Sequence, residues 1–262
     1  MSGPSASPSP SGPAARQRKV AEFVLAQGRA TAQDLAAAFQ VSLMTMHRDL
    51  DELERQGIVR KYRGGVTAQP SGVFESNVAY RKKTMVAEKQ RIAKRAVRYL
   101  EPGMSVMLDD ATTSAAMIPM LAEVTPLRVA TNYLAALREL SQMNGLQLMA
   151  LGGDYDPLHD SFLGITCVEC VESIRVDVAF LSTSAVAAGL AYHQEERIVA
   201  VKRAMIRVAA KRYLLLDHTK LGRVALHRLA PLSDFDLLIV DDGASPEQLA
   251  DLDQHKIPYE VT

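Results

Sequence analysis

Residues 41–65, VSLMTMHRDLDELERQGIVRKYRGG, decide the fold of the amino-terminal part of this chain. Ser42 is a favourable helix N-cap and Gly57 a typical helix stop, so a helix is predicted between them. This helix should bury apolar side chains that recur at spacings of four and three: Met46, Leu50 and Leu53. The opposite face then carries the side chains that we expect to be exposed: Met44, Thr45, His47 and Arg48.

Two further helices are predicted upstream. Thr31, followed three residues later by Asp34, is typical of a capping box and opens the segment DLAAAF (34–39). The segment RQRKVAEFVLAQG (16–28) has apolar residues at helical spacing and ends in a glycine. Two short helices at a tight turn, with polar and basic residues near the start of the second, are typical of a helix-turn-helix, whose second helix enters the DNA major groove.

The run after the recognition helix, IVRKYRGGVTA (58–68), alternates and predicts a hairpin that turns at Gly64-Gly65. Basic residues on such a wing contact the DNA backbone and supply salt-dependent affinity. On the helix, Arg48 can bond guanine O6 and N7, and Thr45 a phosphate or a thymine methyl. The residues predicted to contact double-stranded DNA are Thr31, Ser42, Met44, Thr45, His47, Arg48, Arg60, Lys61, Arg63, Gly64 and Gly65.

The same helices also fit a plain helical bundle, in which the exposed residues are only solvated. Asp49 would then pair with Arg48 or with Lys61. The ordered set of cap, helix, turn, helix, glycine and basic hairpin within sixty residues favours DNA binding.

Residues 41–65 resemble the DeoR family of bacterial transcription regulators. That family has a Ser- or Thr-opened recognition helix ending in RDL, then a run of the form LE-x-x-G, and a wing that closes with GG. Where the family usually has two adjacent arginines before Asp-Leu, this chain has His47-Arg48. The resemblance implies a winged helix-turn-helix that binds operator DNA.

Composition and charge agree with a nucleic-acid partner. The 262 residues, 48% hydrophobic and 23% charged, are typical of a soluble globular protein with one large and one small domain. Residues 1–100 hold 17 Lys and Arg against 8 Asp and Glu, whereas residues 101–262 hold 13 against 22. A basic front predicts contact with a polyanion. No apolar run reaches the length of about eighteen residues that a membrane span needs, and we expect a cytoplasmic protein.

Four segments are predicted along the chain. Residues 1–15, which carry no charged side chain, are expected to form a disordered tail. Residues 16–68 form the winged helix-turn-helix domain, residues 69–82 a linker, and residues 83–262 an α/β domain. The basic helix over residues 80–100 has an apolar stripe at Met85, Ile92, Ala96 and Val97, so we expect it to dock on the second domain rather than to contact DNA phosphates.

Beyond residue 104 short apolar runs alternate with helical segments, which predicts a doubly wound, mostly parallel α/β sheet covered on both faces. Predicted strands are SVMLD (105–109), PLRVATN (126–132), LQLMALGG (146–153), VDVAFLST (176–183), RYLLLD (212–217) and DLLIVDD (236–242). Predicted helices lie near residues 112–122, 133–143, 161–174, 196–210 and 246–255.

This half is also similar to the DeoR family, in its sensor domain, which resembles ribose-5-phosphate isomerase and the CoA transferases in fold. The matching pieces, in order, are LDDATTS (108–114), VATN (129–132), LGGDYDPLHDSFLG (151–164), VKRAMI (201–206), LLLDHTKLGRVA (214–225) and LIVDDG (238–243). Ala111 stands where the family commonly has Gly. The resemblance implies a phosphorylated sugar or related metabolite at the LDDATTS loop.

Local chemistry points to the same loop. Main-chain N–H groups and hydroxyls at a helix start form a cradle for a phosphate, and carboxylates accept hydrogen bonds from sugar hydroxyls. Ligands of such sheets gather at the carboxyl ends of the strands. The residues predicted to bind the effector are Asp109, Asp110, Thr112, Thr113, Ser114, Thr131, Asn132, Gly152, Gly153, Lys202, Asp217 and Lys220. The alternatives are that Thr112 only caps the helix, that Asp109 only pairs with a neighbour, and that Lys202 and Lys220 form surface ion pairs.

Other functional groups are expected to be structural. Cys167 and Cys170 lack a second pair at ligand spacing, so we expect reduced thiols in the core and neither a metal nor a cofactor. His193, Glu195 and Glu196 fit a polar loop before a helix better than a metal site.

We expect no catalytic residues and no enzyme activity. The related isomerases keep acids after a central strand, whereas VDVAFLST continues into Ser184 with no acid. The sequence therefore predicts a homo-oligomeric repressor of sugar or polyol metabolism genes, controlled by a phosphorylated sugar. An isomerase-like enzyme and an effector-independent DNA-binding protein are the alternatives.

Overall fold

A computed structural model describes residues 13–68 and 78–262. The chain divides into two compact units, one ending at Tyr80 and the other running from Arg81 to Thr262. Most of the predicted tail, residues 1–12, and most of the predicted linker, residues 69–77, lie outside the described residues.

The first unit has three helices and a small sheet among its described residues. The elements are α1 (Pro13–Gln27), β1 (Arg29–Thr31), α2 (Ala32–Ala38), α3 (Leu43–Arg55), β2 (Val59–Tyr62) and β3 (Gly65–Ala68). The strands form an antiparallel sheet in the order β1-β3-β2. The start of α1 falls within the segment that was assigned to the tail.

The predicted caps of α2 and α3 are confirmed. Thr31 Oγ1 accepts a hydrogen bond from the N–H of Asp34, and Ser42 Oγ accepts one from the N–H of Thr45, each over 3.1 Å. The helices pack on a shared core that contains the three predicted inward residues of α3: Met46, Leu50 and Leu53.

Two details of this unit differ from prediction. Asp49 is buried and accepts hydrogen bonds from Arg16 Nε at 2.6 Å and from Gln17 Nε2 at 2.9 Å, so its predicted pairing within α3 or with Lys61 is wrong. Tyr62 pairs with Gly65, which makes Arg63-Gly64 the two turn residues in place of Gly64-Gly65. A short turn of this kind needs a positive φ, and Gly64 supplies it with a φ of 92°.

Two helices lie where one was predicted, and the first of them spans the boundary between the two units. Helix α4 (Val78–Lys83) stops, and α5 (Val86–Ala96) starts after Met85, whose φ of 51° is left-handed. A non-glycine residue in that region cannot continue an α-helix. Helix α5 still buries Ile92 and Ala96, as the apolar stripe predicts.

The remaining elements form three sheets and their connections. Helices are α6 (Thr112–Ala115), α7 (Leu134–Leu140), α8 (Ile165–Glu172), α9 (Glu196–Val208) and α10 (Pro246–Gln254). Strands are β4 (Ser105–Leu108), β5 (Leu127–Thr131), β6 (Leu146–Ala150), β7 (Asp154–Asp156), β8 (Ser161–Leu163), β9 (Val176–Leu181), β10 (Ala185–Ala187), β11 (Leu190–His193), β12 (Ala209–Leu216), β13 (His227–Pro231), β14 (Leu237–Val240) and β15 (Tyr259–Val261).

The main sheet confirms the predicted fold class. Its seven strands run in the order β15-β14-β12-β9-β4-β5-β6, and every neighbouring pair is parallel. This is the doubly wound order, in which the chain reverses direction across the sheet between β4 and β9. None of the described helices is both long enough and apolar enough to cross a bilayer.

The predicted helix over residues 161–174 is partly wrong. Residues 161–163 form β8, which pairs with β7, and the helix begins only at Ile165, after Gly164 with a φ of 89°. A second small sheet, β10-β11-β13, was also not predicted. These two additions matter because each carries a histidine toward the carboxyl ends of the main sheet.

Candidate functional site

The exposed face of α3 has the composition of a recognition helix. His47 and Arg48 are exposed, and Met44 exposes 68% of its surface. Thr45 is half-buried, and its hydroxyl lies 2.9 Å from the hydroxyl of Ser42. Thr31 and Ser42 serve as helix caps, so they fix the start of α2 and of α3, the positions from which main-chain N–H groups point outward.

The wing presents some of its predicted contacts and uses others for its own structure. Arg60 and Arg63 are exposed, whereas Lys61 forms an ion pair with Asp51 of α3. Gly65 is needed for packing, because an added β-carbon would lie 2.5 Å from the carbonyl oxygen of Ala30.

The main sheet reverses direction between β4 and β9, and we call the region outside the carboxyl ends of these two strands the crevice. Ligands of open α/β sheets bind outside the carboxyl ends of the strands at such a point. Asp109 follows β4 and Ser182 follows β9, and the N–H of Ser182 donates to Asp109 Oδ2 at 2.7 Å across the crevice. The other oxygen, Oδ1, accepts from the N–H of Ala111 at 3.1 Å and from Ser114 Oγ at 2.5 Å. Asp109 therefore holds the loop after β4 in place, and Ser114 assists it.

Lys202 of α9 places a buried positive charge beside two buried carboxylates. Its Nζ donates to Asp109 Oδ2 and lies 3.1 Å from Asp110 Oδ1. Burial opposes the charged ammonium, but the two carboxylates overcome this and raise the pKa of Lys202. Lys202 therefore remains protonated at neutral pH.

Asp110 is the carboxylate on which the other polar groups converge. Burial alone would raise its pKa, but the charges of Lys202 and Arg81 hold that pKa well below its usual range. Ser161 of β8 also donates to Asp110 Oδ2, at 3.1 Å. Asp110 is therefore ionised, and side chains from four separate parts of the chain lie close to it.

The two histidines of this cluster are neutral at pH 7. Burial lowers the pKa of His193 well below its usual value, and the charge of Lys202 lowers it further. His193 Nδ1 accepts a hydrogen bond from the N–H of Glu195 at 3.1 Å, so the proton of the neutral ring lies on Nε2. Burial also lowers the pKa of His159. Both rings are therefore neutral hydrogen-bonding groups, which can pair with hydroxyl groups and do not supply a positive charge.

Several buried polar atoms around Asp110 have no hydrogen-bond partner among the described residues. They are Arg81 Nε, Asn132 Oδ1, Tyr133 OH and His159 Nδ1. A buried polar group without a partner costs about 1–3 kcal/mol. Donors and acceptors are mixed in this set, as a polyhydroxylated ligand would require.

A cavity of about 290 Å³ adjoins the loop after β4. Thr112, Tyr133, Lys82 and Lys89 lie on its wall with Glu139, and alanines, Ile118 and Pro119 form the apolar part. Lys82 lies 5.5 Å from the centre of the Tyr133 ring. The cavity has room for a small metabolite, and its wall includes the ammonium-bearing Lys82 and the hydroxyl-bearing Thr112 and Tyr133.

The other residues of the predicted effector site have varied positions. Ala111, not Thr112, is the N-cap of α6, and Thr112 Oγ1 donates to the carbonyl oxygen of Arg81 at 3.4 Å. Thr113 is buried, and Thr131 is buried and accepts from the N–H of Tyr133 at 3.1 Å.

Among the predicted effector residues near the ends of β6 and β12, Gly153 and Asp217 have structural roles. An added β-carbon at Gly153 would lie 2.5 Å from the carbonyl oxygen of Leu163, whereas Gly152 has open space. Asp217 caps the short helix His218–Lys220, and the charges of Asp217 and Lys220 both act on the buried ammonium of Lys89.

Five residues of the cluster were missed by sequence reasoning: Arg81, Tyr133, His159, Ser161 and His193. The interpretation of His193 as part of a polar loop is wrong, because it ends β11 and is buried. His159 and Ser161 arrive on the β7–β8 hairpin, whose second strand was predicted as the start of a helix. The glycine at position 164 was a usable signal, since it marks the true start of α8.

The cysteines lie where prediction placed them. Cys167 is a free thiol in the core, and burial raises its pKa to about 12, while Cys170 is a half-buried free thiol.

Comparison with known proteins identifies both units. The family model for a DeoR-like helix-turn-helix domain matches residues 16–71, and the model for the DeoR C terminal sensor domain matches residues 84–242. The chain belongs to the DeoR family. It is a DNA-binding transcription regulator with an amino-terminal helix-turn-helix domain and a carboxyl-terminal sensor domain.

Relatives of this DeoR-family regulator align over most of their length. An HTH-type transcriptional regulator of Escherichia coli (strain K12), YgbI, is 33% identical over 88% of this chain and 91% of its own. The glycerol-3-phosphate regulon repressor of Haemophilus influenzae is 31% identical over 87% of this chain and 89% of its own. Ribose 5-phosphate isomerase A of Methanocaldococcus jannaschii is a distant structural match, 18% identical over 55% of this chain and 56% of its own, with a TM-score of 0.39.

Proposed function

We propose that this DeoR-family regulator represses genes of sugar or polyol metabolism and that a phosphorylated sugar controls its affinity for operator DNA. The observation that carries the proposal is the buried cluster around Asp110, where the sheet reverses direction. There Arg81, Asn132, Tyr133 and His159 each have a buried polar atom without a partner among the described residues. The name of the glycerol-3-phosphate regulon repressor supports a phosphorylated three-carbon polyol as one candidate effector.

The chemistry of the cluster divides between charge and hydroxyl recognition. The ammonium of Lys82 on the cavity wall and the guanidinium of Arg81 favour a phosphate. The neutral histidines, Asn132 and Tyr133 favour hydroxyl groups, which both donate and accept hydrogen bonds. We propose that Asp109 and Ser114 shape the site and do not contact the effector. Their side chains already bond each other, and Asp109 also accepts a hydrogen bond from the N–H of Ser182.

The main test measures DNA binding with and without ligand. Purified full-length chain selects duplexes from a random library, and fluorescence anisotropy then gives the dissociation constant of an enriched duplex. Ribose 5-phosphate, glucose 6-phosphate, fructose 6-phosphate and sn-glycerol 3-phosphate are each added, with the unphosphorylated compounds and inorganic phosphate as controls. We expect one phosphorylated compound to change the dissociation constant about tenfold or more, which is a coupling free energy of about 1.4 kcal/mol. Indifference to the whole panel would favour an effector-independent DNA-binding protein.

A matched pair of variants locates the site. Arg81→Met removes the guanidinium beside Asp110 and should abolish the response to the phosphorylated compound. Arg98→Met, at an exposed position of the short helix Val97–Tyr99, should keep it. Equal responses in both variants would place the effector elsewhere.

We also propose that the protein does not turn its effector over. Isomerisation needs a base whose pKa lies near the working pH, whereas the cations around Asp110 hold its pKa well below its usual range. Ser182, Thr183 and Ser184 follow the central strand β9 without an acid. Conversion of ribose 5-phosphate to ribulose 5-phosphate by pure protein, lost in Asp110→Asn, would establish the enzyme instead.

A homodimer completes the proposal. Two recognition helices of a symmetric dimer read two half-sites about 10 base pairs apart. Sedimentation equilibrium of the free chain and of the complex with the enriched duplex tests this. A complex containing a single chain would contradict it.

A further inference from the structure

The carbonyl oxygen of Arg81 is shared by two side chains of the sensor domain. Lys89 Nζ donates to it at 2.5 Å and Thr112 Oγ1 donates to it at 3.4 Å. Lys89 Nζ also donates to the carbonyl oxygen of Thr84 at 2.7 Å. Arg81 lies in the last turn of α4 and Thr84 just after it, where carbonyl groups have no partner within the helix. Lys89 thus closes the end of the helix by which the chain enters the sensor domain.

Burying the charged ammonium of Lys89 at this position costs free energy. Its side chain is buried, and burial lowers its pKa to about 8, while the charge of Asp217 opposes the shift. A buried ammonium is tolerated only where it is well coordinated, and here two main-chain carbonyls coordinate it. Because Met85 interrupts the helix, the join between α4 and α5 depends on these bonds rather than on a continuous helix.

Thr112 connects the same carbonyl to the loop after β4. A hydroxyl has one proton and can donate to one acceptor at a time. A phosphate oxygen is a stronger acceptor than a main-chain carbonyl, because a charged partner roughly doubles the strength of a hydrogen bond. At 3.4 Å the bond from Thr112 to Arg81 is long, so a phosphate in the adjoining cavity would take this proton.

We propose that Lys89 is a positioning residue that transmits effector binding to α4. Without effector, Thr112 and Lys89 together hold the Arg81 carbonyl. With a phosphate bound, Thr112 turns to the phosphate, the Arg81 guanidinium gains an anionic partner, and Lys89 alone fixes the end of α4. The inference rests on the proposed function, since the phosphorylated effector must bind beside Thr112 and Arg81. The state without effector and the state with effector then differ in the contacts of Arg81. A ligand can shift the populations of two states only if it interacts differently with them.

The test separates ligand binding from its transmission to DNA. Lys89→Met keeps the length of the side chain but removes its charge and donors, and Lys89→Arg restores both. Lys94→Met is the matched control, since Lys94 is exposed on the same helix. For each full-length variant, calorimetry gives the affinity for the panel compound to which the wild type responds most, and anisotropy gives the dissociation constant of the enriched duplex with and without it.

We expect Lys89→Met to bind the compound within about threefold of the wild type, a difference of under about 0.7 kcal/mol, while most of the change in DNA affinity is lost. Lys89→Arg should recover part of the change, and Lys94→Met should keep all of it. A full change in Lys89→Met would overturn the inference. So would a loss of compound affinity of about tenfold or more, because Lys89 would then be a ligand-binding group.

A measurement on the wild type keeps the inference testable if Lys89→Met does not fold. Hydrogen exchange of the amides of residues 81–85 should change when the compound is added to saturation, because the contacts of Arg81 change. Binding without any change in that segment would refute the transmission but leave the proposed function intact. No binding by any panel compound would instead refute the proposed function, and the inference with it.

Discussion

Substituting Lys202 by Met tests whether the buried charge cluster holds the sensor domain together. The side chains of Lys202, Asp109 and Asp110 are 3%, 0% and 4% exposed. Removing one partner of a buried ion pair costs about 3–5 kcal/mol. The cost can also be estimated from protonation of the carboxylate that loses its partner. Protonating a carboxyl group of ordinary pKa near 3.9 at pH 7 costs about 4 kcal/mol, at 1.36 kcal/mol for each pH unit. We expect Asp110 to take up this proton, because Asp109 keeps its bonds from Ser114 and from two N–H groups.

The two proteins should respond to pH in opposite ways. In the wild type the pKa of Asp110 is lowered, so its contribution to stability is complete above pH 4 and is lost only as the pH falls through the folded-state pKa. In Lys202→Met burial raises that pKa, so the folded state binds more protons and becomes more stable as the pH falls from 7 to 5. The difference in unfolding free energy should shrink from about 4 kcal/mol at pH 7 to about 1.5 kcal/mol at pH 5.

Urea unfolding followed by tyrosine fluorescence measures this difference. Six of the eight tyrosines lie in residues 81–262, so the signal reports mainly on the sensor domain. With a slope of about 2 kcal/mol per molar urea, the midpoint should fall by about 2 M at pH 7 and by about 0.7 M at pH 5. The control is Lys211→Met, which breaks an exposed pair with Asp236 and should cost less than about 1 kcal/mol at both pH values. Equal midpoint shifts at pH 7 and pH 5 would refute the reasoning.

Three further predictions concern the wing, the recognition helix and the effector cluster. Gly65→Ala should lower the stability of the amino-terminal unit by about 1–3 kcal/mol in thermal unfolding, because the new methyl overlaps the Ala30 carbonyl; an unchanged midpoint would contradict this. Arg48→Ala should weaken binding to the selected duplex by about 1–3 kcal/mol more than to competitor DNA, whereas Arg55→Ala, paired with Glu52, should not discriminate in the same anisotropy titration. Tyr133→Phe should leave the free protein as stable or stabilise it by up to about 1 kcal/mol, because it removes an unpartnered hydroxyl, while calorimetry shows weaker binding of the effector.

The fold followed from patterns that are local in sequence. The caps of α2 and α3 need only a hydroxyl and an N–H three residues apart, and the core face of α3 needs only apolar residues at helical spacing. The main strands are apolar runs long enough to be recognised in the sequence. Their strict alternation with helices predicts a parallel sheet. The order of strands along the sheet was not predicted, because the handedness of crossover connections leaves more than one order open.

The candidate site was predicted only in part because its residues come from elements with weak local patterns. Strands β7 and β8 are three residues long and are stabilised by pairing with each other, so SFLG before α8 looked like the start of that helix. His193 ends a strand of four residues whose partners, β10 and β13, have three and five residues. The break at Met85 has no glycine or proline to mark it. In each case long-range packing decides the structure, and a single sequence does not display it.

Under the proposed function, a phosphate and hydroxyl groups of one ligand act together on the polar atoms of the cluster. The bonds of Asp109 to Ser114, Ser182 and Lys202 form without any ligand, so they hold the loop after β4 before a ligand binds. The unpartnered atoms of Tyr133 and His159 carry a cost of about 1–3 kcal/mol each, which a ligand hydroxyl removes on binding. On this proposal an inorganic phosphate would supply the charge without the hydroxyls, and an unphosphorylated sugar would supply hydroxyls but leave Thr112 bonded to Arg81. Under the proposed function, only a molecule with both features binds tightly and also shifts α4, so affinity and response depend on different parts of the same ligand.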